Sequence, residues 1–287
     1  MIRSMTAFAR ADRHLTGASL AWEIRSVNHR YLEVGPRLPE GLRALENDVR
    51  ERCRQRLGRG KVDVTLRYQT EEGEAELELN EPLVKPLAEA ARRVDDLVRH
   101  AGQVNPLEIL RFPGVLSTRE VDADTLHAEA LAALDEALDA LIATRDREGE
   151  QLARMVRERL DGVGEQVARI RQALPAIREA LRDRLRQRVQ EAVENPDPER
   201  LEQELVLAAQ KMDVDEELDR LETHVAEVRR VVEKGGQVGR RLDFLMQELN
   251  REANTLASKS VDAETTAAAV ELKVLIEQMR EQIQNIE

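Results

Sequence analysis

The sequence is poor in aromatic residues, cysteine and phosphate-binding motifs, and each shortage excludes a class of protein. Aromatic residues make up 2% of the 287 residues, and the abundance of Ala, Leu, Glu and Arg favours packed long helices over an all-β fold. The single cysteine, Cys53, excludes an internal disulfide framework and a cysteine-based zinc site. No segment has the spacing of a P-loop, so nucleotide hydrolysis is not expected.

Membrane insertion and secretion are not expected either. No apolar run approaches the roughly 20 residues that a helix needs to span a bilayer. The first residues, "MIRSMTAFARADR", lack the apolar centre of a signal peptide. These features predict a cytoplasmic protein with no membrane partner.

The charge is acidic overall but is divided into segments of opposite sign. The formal net charge of -12 argues against a broad basic surface for nucleic acid. Residues 1–70 nevertheless carry a net charge of +6 and residues 151–190 one of +5, whereas residues 71–150 carry -12 and residues 191–287 carry -11. A phosphate-bearing ligand therefore has two basic zones, and the acidic zones either face solvent or collect divalent cations.

Residues 1–80 have the pattern of strands around one helix. Apolar residues alternate with polar ones over Ser19–Val27 and Lys61–Tyr68, and Ala75–Asn80 has the pattern of a further short strand. Between these strands the sequence predicts a helix that ends at Gly58. One face of this helix is formed by Leu42, Leu45, Val49, Cys53 and Leu57.

A second group of predicted elements follows this small module. A helix is predicted from Pro82 to about Ala101, and then a short helix-and-turn passage over Asn105–Val115. From about Asp124 a long helix runs to about Ala173, where Pro175 is expected to kink or restart it.

The remaining chain is predicted to be helical, with one linker over Glu194–Arg200. A helix from about Leu201 to Glu233 leads to a glycine turn over Lys234–Gly239. The next helix packs antiparallel to the previous one, and a last helix starts at about Ala263.

These elements predict an α+β fold that is predominantly α-helical, with a small N-terminal α/β module followed by long helices and a C-terminal helical hairpin. Three regions are expected. Residues 1–155 form an N-terminal region, in which the module spans about residues 1–120 and runs into a long helix. Residues 156–203 connect it to a C-terminal helical domain, residues 204–287.

The two helices of the predicted hairpin carry the residues that suggest chemistry. On the first helix Glu217 and His224 lie on one flank of the apolar stripe, and on the second helix Glu248 and Glu252 lie one turn apart. If these flanks meet, three carboxylates and an imidazole converge, which suits Mn²⁺ or Mg²⁺, with zinc also possible. The alternative is that His224 is a half-exposed histidine paired with Glu217 or Glu227, and that Glu248 and Glu252 pair with cations one turn away on their own helix.

Amides and arginines occupy the outer face of the second hairpin helix, where Glu and Lys are usual. Asn is a mediocre helix former, so Gln247, Asn250 and Asn254 need another explanation. Their donors and acceptors suit bases, riboses, phosphates or a partner subunit. In the N-terminal module, "RSVNHR" ends a strand, and "RLGRGK" either complements a helix end or holds phosphate.

Several of these segments closely resemble the YicC/YloC family. The resemblance rests on "MIRSMTAFAR", "RSVNHRYLE", "LGRGKVDVTLRY", "NPLEILRFPGV", "RLEQELVLAAQKMDVDEELDRLETHV", "VGRRLDFLMQELNREANTLASKS" and "ELKVLIEQMREQIQNIE". It keeps the same order from end to end, although residues 115–200 match in helical character more than in motif. The resemblance implies a stress-associated, metal-dependent endoribonuclease that favours Mn²⁺, with Mg²⁺ possible.

Substrate, assembly and site residues are implied in the same way. The resemblance implies single-stranded and small regulatory RNA as substrates, a homohexamer with an RNA channel, and possible association with other RNA-decay proteins. Its motifs make His224, Glu248 and Glu252 the candidate catalytic residues, and Glu217, His224, Glu248 and Glu252 the candidate metal ligands. The same motifs supply the candidate RNA-binding residues Arg240, Arg241, Gln247, Asn250 and Arg251. The charge and turn pattern of the sequence itself adds Arg25, Asn28, Arg30, Arg59, Lys61 and Lys259.

One interpretation then explains the unusual helix face. The amides and arginines face RNA, the carboxylates hold a cation, and His224 is either a ligand or the general acid/base. The competing interpretation is a non-catalytic RNA-binding adaptor or scaffold that recruits another nuclease, in which the carboxylates form salt bridges.

Overall fold

A computed structural model describes residues 1–70, 77–98, 105–118, 122–192 and 197–287. Its strands are β1 (Ala7–Leu15), β2 (Ala18–Val27), β3 (Leu32–Arg37), β4 (Gly60–Thr70), β5 (Leu77–Leu79) and β6 (Leu116–Thr118). Its α-helices are α1 (Glu46–Arg56), α2 (Glu81–Leu97), α3 (Pro106–Leu110), α4 (Ala123–Ala192), α5 (Pro198–Lys211), α6 (Asp215–Lys234), α7 (Gly239–Lys259) and α8 (Ala263–Ile283). The expected α+β, predominantly helical class is confirmed.

The N-terminal module is a four-stranded sheet covered on one face by helices. The strand order is β1-β2-β4-β3, with β3 and β4 parallel and the other neighbours antiparallel. Alternation puts the apolar residues of β2 and β4 on the covered face, where Trp22 is fully buried and donates through Nε1 to the carbonyl of Ala130 (2.7 Å). The strands expected from residues 19–27 and 61–68 are confirmed.

The first predicted helix is real, but its first part has a tighter turn. Residues Glu40–Leu45 form a 3-10 helix that leads directly into α1. All five residues expected on its inner face are buried. Pro39 stands immediately before this segment, and a short 3-10 turn is common at a helix start.

The next segments agree with the predicted elements over their described parts. β5 pairs antiparallel with β6, α2 ends at Leu97, and Asn105 caps α3 by accepting from the amide of Leu107. Residues 75 and 76 of the expected strand and the end of the expected helix at Ala101 lie outside the described residues.

Helix α4 is continuous through Pro175, so the restart expected there is wrong. It extends for 70 residues, and its buried residues end at Leu174. A proline inside a helix removes one donor, here the one that would reach the carbonyl of Arg171. Since the following segment leaves the core, this carbonyl can be hydrated without breaking the helix.

The expected single helix from Leu201 to Glu233 is also wrong, because two helices occupy this segment. α5 ends at Lys211 and α6 begins at Asp215. Asp213 accepts from the amide of Asp215 (3.2 Å), a local bond to the first residue of the new helix, which Val214 precedes as N-cap. Of the expected linker, residues 194–196 lie outside the described residues, and Asp197 caps α5.

The C-terminal half is a helical hairpin joined by a third helix. Gly235 and Gly236 adopt positive φ angles of 65° and 85° between α6 and α7, as the expected glycine turn requires. α8 packs against both α7 and α4. Among the described helices, none has the length and apolar content to cross a membrane.

Two hydrophobic clusters share helix α4. The first joins the sheet, α1 and the part of α4 up to Leu141. The second joins the part from Leu152 to Leu174 with α6, α7 and α8, and includes Ile2. The N-terminal segment lies between the clusters, where the amide of Ser4 donates to the carbonyl of Arg145 (3.0 Å).

Two glycines of α4 provide a test of how closely the N-terminal segment packs against this helix. A methyl group at Gly149 would overlap the backbone carbonyl of Ile2, whereas one at Gly164 would meet nothing within 4 Å. We expect Gly149→Ala to lower the free energy of unfolding by about 1–3 kcal/mol through overpacking. Gly164→Ala is expected to raise it by about 0.5–1 kcal/mol, because alanine favours the helix. Urea unfolding measures both, and equal effects would contradict this packing.

Candidate functional site

Ion pairs cross the interface between α6 and α7, which we term the α6–α7 seam. Lys259 Nζ lies 2.7 Å from Glu217 Oε1, and Arg220 Nη1 lies 3.4 Å from Glu252 Oε1. At the other end Arg241 pairs with Glu227. The antiparallel packing of two helices with charged flanks therefore produces a series of cross-helix pairs.

Two of the seam carboxylates are buried and need these partners. Glu217 is 5% exposed and Glu252 is 4% exposed. Removing a carboxylate from water is costly unless a cation or hydrogen-bond donors compensate. Lys259 compensates Glu217, and Arg220, which is shared with Glu216, compensates Glu252. Glu217 Oε2 has no hydrogen-bond partner among the described residues, so its compensation comes through the other oxygen.

His224 and Glu248 occupy the middle of the seam and differ from its other charged residues. On α6, His224 lies between Arg220 and Glu227. On α7, Glu248 lies between Arg241, the partner of Glu227, and Glu252, the partner of Arg220. Both side chains are half-buried. Within the described residues neither makes an ion pair or a hydrogen bond, so the imidazole and the carboxylate are available for proton transfer.

The four candidate metal ligands do not form one metal-sized cluster. The described residues contain no group of three or more His, Cys, Asp or Glu side chains that could hold a metal ion. Cations already neutralise Glu217 and Glu252, which leaves His224 and Glu248. The arrangement therefore does not fit the expected four-ligand site within one chain, and we assign no reaction step to a metal.

Several candidate RNA-binding residues meet at the loop between β2 and β3. We term residues 28–31 the Tyr31 loop. Arg59 Nε donates to the carbonyl of His29 (2.9 Å), and Arg240 Nη2 lies 3.4 Å from the carbonyl of Arg30. The loop, the start of β4 and the start of α7 thus form one basic cluster, although they are far apart in sequence.

A buried arginine fixes the position of this cluster. Arg145 Nη2 donates to the carbonyl of Arg59 (2.8 Å), immediately before Gly60. Gly60 has a φ of 117°, and a Cβ there would lie 3.1 Å from Arg145 and 3.2 Å from Ser26. Glycine is therefore required where the chain turns from α1 into β4.

The exposed face of α7 continues from this cluster. Arg240, Phe244, Gln247 and Arg251 recur at helical spacing and are exposed, with Phe244 57% exposed. Asn250 is half-buried beside them, in a depression lined also by Asn254 and Arg280. We term Arg240, Phe244, Gln247, Asn250 and Arg251 the α7 strip.

Other candidate RNA-binding residues lie elsewhere or are engaged. Arg25 is exposed on the uncovered face of the sheet, and Asn28 is exposed in the Tyr31 loop. Lys61 Nζ lies 3.9 Å from Glu33. Arg241 and Lys259 pair with seam carboxylates, so these two cations have structural partners.

Sequence reasoning missed Tyr31 and Phe244. Tyr31 is 59% exposed although its loop is tied to β4 and α7. Phe244 lies off the apolar stripe formed by Leu242, Leu245 and Leu249, and this offset is the signal that could have identified it. Exposed aromatic rings are suited to stacking with nucleic-acid bases.

Related sequences of known proteins match the chain over its full length. The family model "Endoribonuclease YicC-like, N-terminal region" matches residues 2–154, and "Endoribonuclease YicC-like, C-terminal" matches residues 170–287. A Haemophilus influenzae protein named "Probable endoribonuclease YicC" is 50% identical over 288 residues, covering 100% of both chains. A Clostridioides difficile protein with the same name is 30% identical over 294 residues, again covering 100% of both.

The Glu227 pair gives the seam a specific acid sensitivity. Hydrogen bonds from Arg230 and then Arg241 lower the pKa of Glu227 from 4.5 to about 2. Because the folded pKa is depressed, this group stabilises the fold above pH 4.5 and loses its contribution as the pH falls toward 2. We expect Glu227→Gln to flatten the decline of the urea midpoint over that range.

Glu271→Gln is the matched control, since Glu271 is exposed on α8 and has no ion pair within the described residues. It should follow the wild-type pH dependence. A Glu227→Gln protein that declines as steeply as the wild type would contradict the assignment.

Proposed function

The chain belongs to the YicC-like endoribonuclease family, and we propose that it is an endoribonuclease whose proton transfers occur in the α6–α7 seam. The observation that supports the proposal is which charged residues of the seam form ion pairs and which do not. Glu217, Glu252 and Glu227 are matched with cations, and His224 and Glu248 lie unpaired between them. An imidazole and a carboxylate on the two helices of one seam are a suitable general acid and base.

The proposed chemistry is cleavage of a phosphodiester bond with one proton removed and one supplied. One of the two groups accepts the proton of the attacking hydroxyl, from water or from the ribose 2′-hydroxyl, as the oxygen–phosphorus bond forms. The other donates a proton to the 5′-oxygen as its bond to phosphorus breaks. Product ends identify the nucleophile, because attack by the 2′-hydroxyl leaves a 2′,3′-cyclic phosphate.

The α7 strip supports RNA as the substrate. Arg240 and Arg251 provide positive charge for phosphates, and Gln247 and Asn250 provide donors and acceptors for sugars and bases. Glu248 is a surface neighbour of Phe244 (i, i+4) and of Arg251 (i, i+3) on the same helix, so a strand lying along the strip passes beside the seam. This local basic surface offsets the net charge of -12 where the RNA would bind.

The finer expectations remain proposals about the same activity. We propose single-stranded and small regulatory RNA as the substrate class and a stress-associated role in the cytoplasm. A homohexamer and contacts with other RNA-decay proteins are proposed from the family resemblance alone. Dependence on a divalent metal, with Mn²⁺ favoured and Mg²⁺ possible, stays a prediction, to which a second subunit could add ligands for His224 and Glu248.

Glu248→Gln and His224→Ala test the proposed acid and base. Loss of either proton-transfer group is expected to slow cleavage of a labelled single-stranded RNA by about 10²- to 10⁴-fold. RNA affinity should change little, since neither residue belongs to the α7 strip. Cleavage is measured with EDTA, Mg²⁺ or Mn²⁺, and binding is measured in parallel by fluorescence anisotropy.

Glu233→Gln serves as the control, because Glu233 is an exposed carboxylate near the end of the same helix as His224. It should cut like the wild type. If all these proteins cut equally, or if the wild type binds RNA tightly and never cuts it, the seam is structural. A non-catalytic RNA-binding adaptor would then explain the surface better.

A further inference from the structure

Tyr31 is an exposed ring on a loop that the rest of the protein holds in place. The chain has only one Trp, two Tyr and three Phe, and Tyr31 is 59% exposed. Its carbonyl accepts from the amide of Gly60 (3.3 Å) and lies 3.1 Å from His29 Nδ1. Because these bonds hold the backbone of the loop, less conformational freedom is lost there when a flat ligand binds to the ring.

Two guanidinium groups lie at this ring. The Cζ atoms of Arg30 and Arg240 are 5.3 and 6.0 Å from its centroid, within the range of a cation–π contact. Neither arginine has a carboxylate partner within the part of the chain that the structure describes. The nearby carboxylate of Glu33 instead lies 3.8 Å from His29 and 3.9 Å from Lys61.

An exposed aromatic ring beside two arginines without carboxylate partners among the described residues differs from the surroundings of most other arginines in the protein. The sequence holds 56 Asp and Glu against 44 Lys and Arg, and most of the arginines around the seam and along α4 pair with carboxylates. Two unneutralised arginines beside an exposed ring therefore form a local site for an anion that also carries a flat ring. A nucleotide has both features, and an acidic peptide has only the charge.

We propose that Tyr31, Arg30 and Arg240 form a subsite for one nucleotide of single-stranded RNA. The two guanidinium groups move from the Tyr31 ring to the adjoining phosphate, and the base stacks on the ring in their place. The inference rests on the proposed function for the identity of the ligand. It extends that function by placing one nucleotide at the N-terminal end of α7, so that the strand continues along the α7 strip.

Affinity measurements test the stacking contact. A fluorescein-labelled oligouridylate is titrated in the Glu248→Gln background, where the RNA should remain intact. Tyr31→Leu is expected to weaken binding by roughly 5- to 100-fold, because it removes one base–aromatic stack. Tyr31→Phe keeps the ring and should retain nearly full affinity.

Phe112→Leu is the control for loss of an exposed ring. Phe112 is 48% exposed and follows α3, outside the basic cluster, so its replacement should not change affinity. If Tyr31→Leu also binds like its parent, the subsite is wrong. If a polyglutamate peptide binds as tightly as RNA and Tyr31→Leu has no effect on either, the arginines form a general anion site instead.

A spectroscopic measurement separates this proposal from the proposed function. Tyr31→Trp adds an exposed indole to the constant emission of the buried Trp22. Stacking predicts that oligouridylate quenches the added emission, whereas an abasic oligomer of equal length binds without quenching it. RNA binding without quenching overturns the subsite alone. Absence of RNA binding by the otherwise unaltered protein overturns the proposed function with it.

Discussion

The fold depends on one buried guanidinium, that of Arg145, at the junction of the sheet and the helices. Its Nη2 reaches the carbonyls of Arg59 (2.8 Å) and Met5 (3.4 Å), and its Nη1 lies 3.6 Å from Glu287 Oε2. Burial lowers the pKa of Arg145, and Glu287 opposes that effect. A charge without water needs all these partners, so the N-terminal segment, the start of β4 and the end of the chain must meet at α4. The position of the Tyr31 loop against α7 follows from this requirement.

The same rule of compensating buried charge determines what the seam can do. Lys259 and Arg220 stabilise the buried carboxylates of Glu217 and Glu252, so these residues contribute first to the packing of α6 on α7. His224 and Glu248 are left half-buried between fixed neighbours. A rigid setting of this kind orients an acid and a base without binding energy from the substrate. The ion pairs of the seam therefore hold in place the residues to which the proposed chemistry is assigned.

Local patterns in the sequence predict the elements well and their long-range partners poorly. Strand alternation in β2 and the Gly235–Gly236 turn follow from short-range sterics, so both were predictable. The restart expected at Pro175 does not occur, and the sequence around Pro175 does not show that the helix leaves the core after Leu174. Ion-pair partners of Glu217 and Glu252 depend on the helix register, which apolar spacing alone does not fix. The sequence does not identify Tyr31 as a candidate residue, because Arg240, which packs beside its ring, lies about 200 residues later in the chain.

We propose that one continuous surface, from the Tyr31 loop along α7, receives RNA beside the seam. Hydrogen exchange of the Glu248→Gln protein with and without single-stranded RNA tests it most directly. We expect RNA-dependent protection in peptides that cover residues 28–31, 58–61 and 239–254. We expect no change in the part of α4 packed under the sheet. Protection confined to the groove between α4 and α5, or to the uncovered sheet face around Phe8, would contradict it.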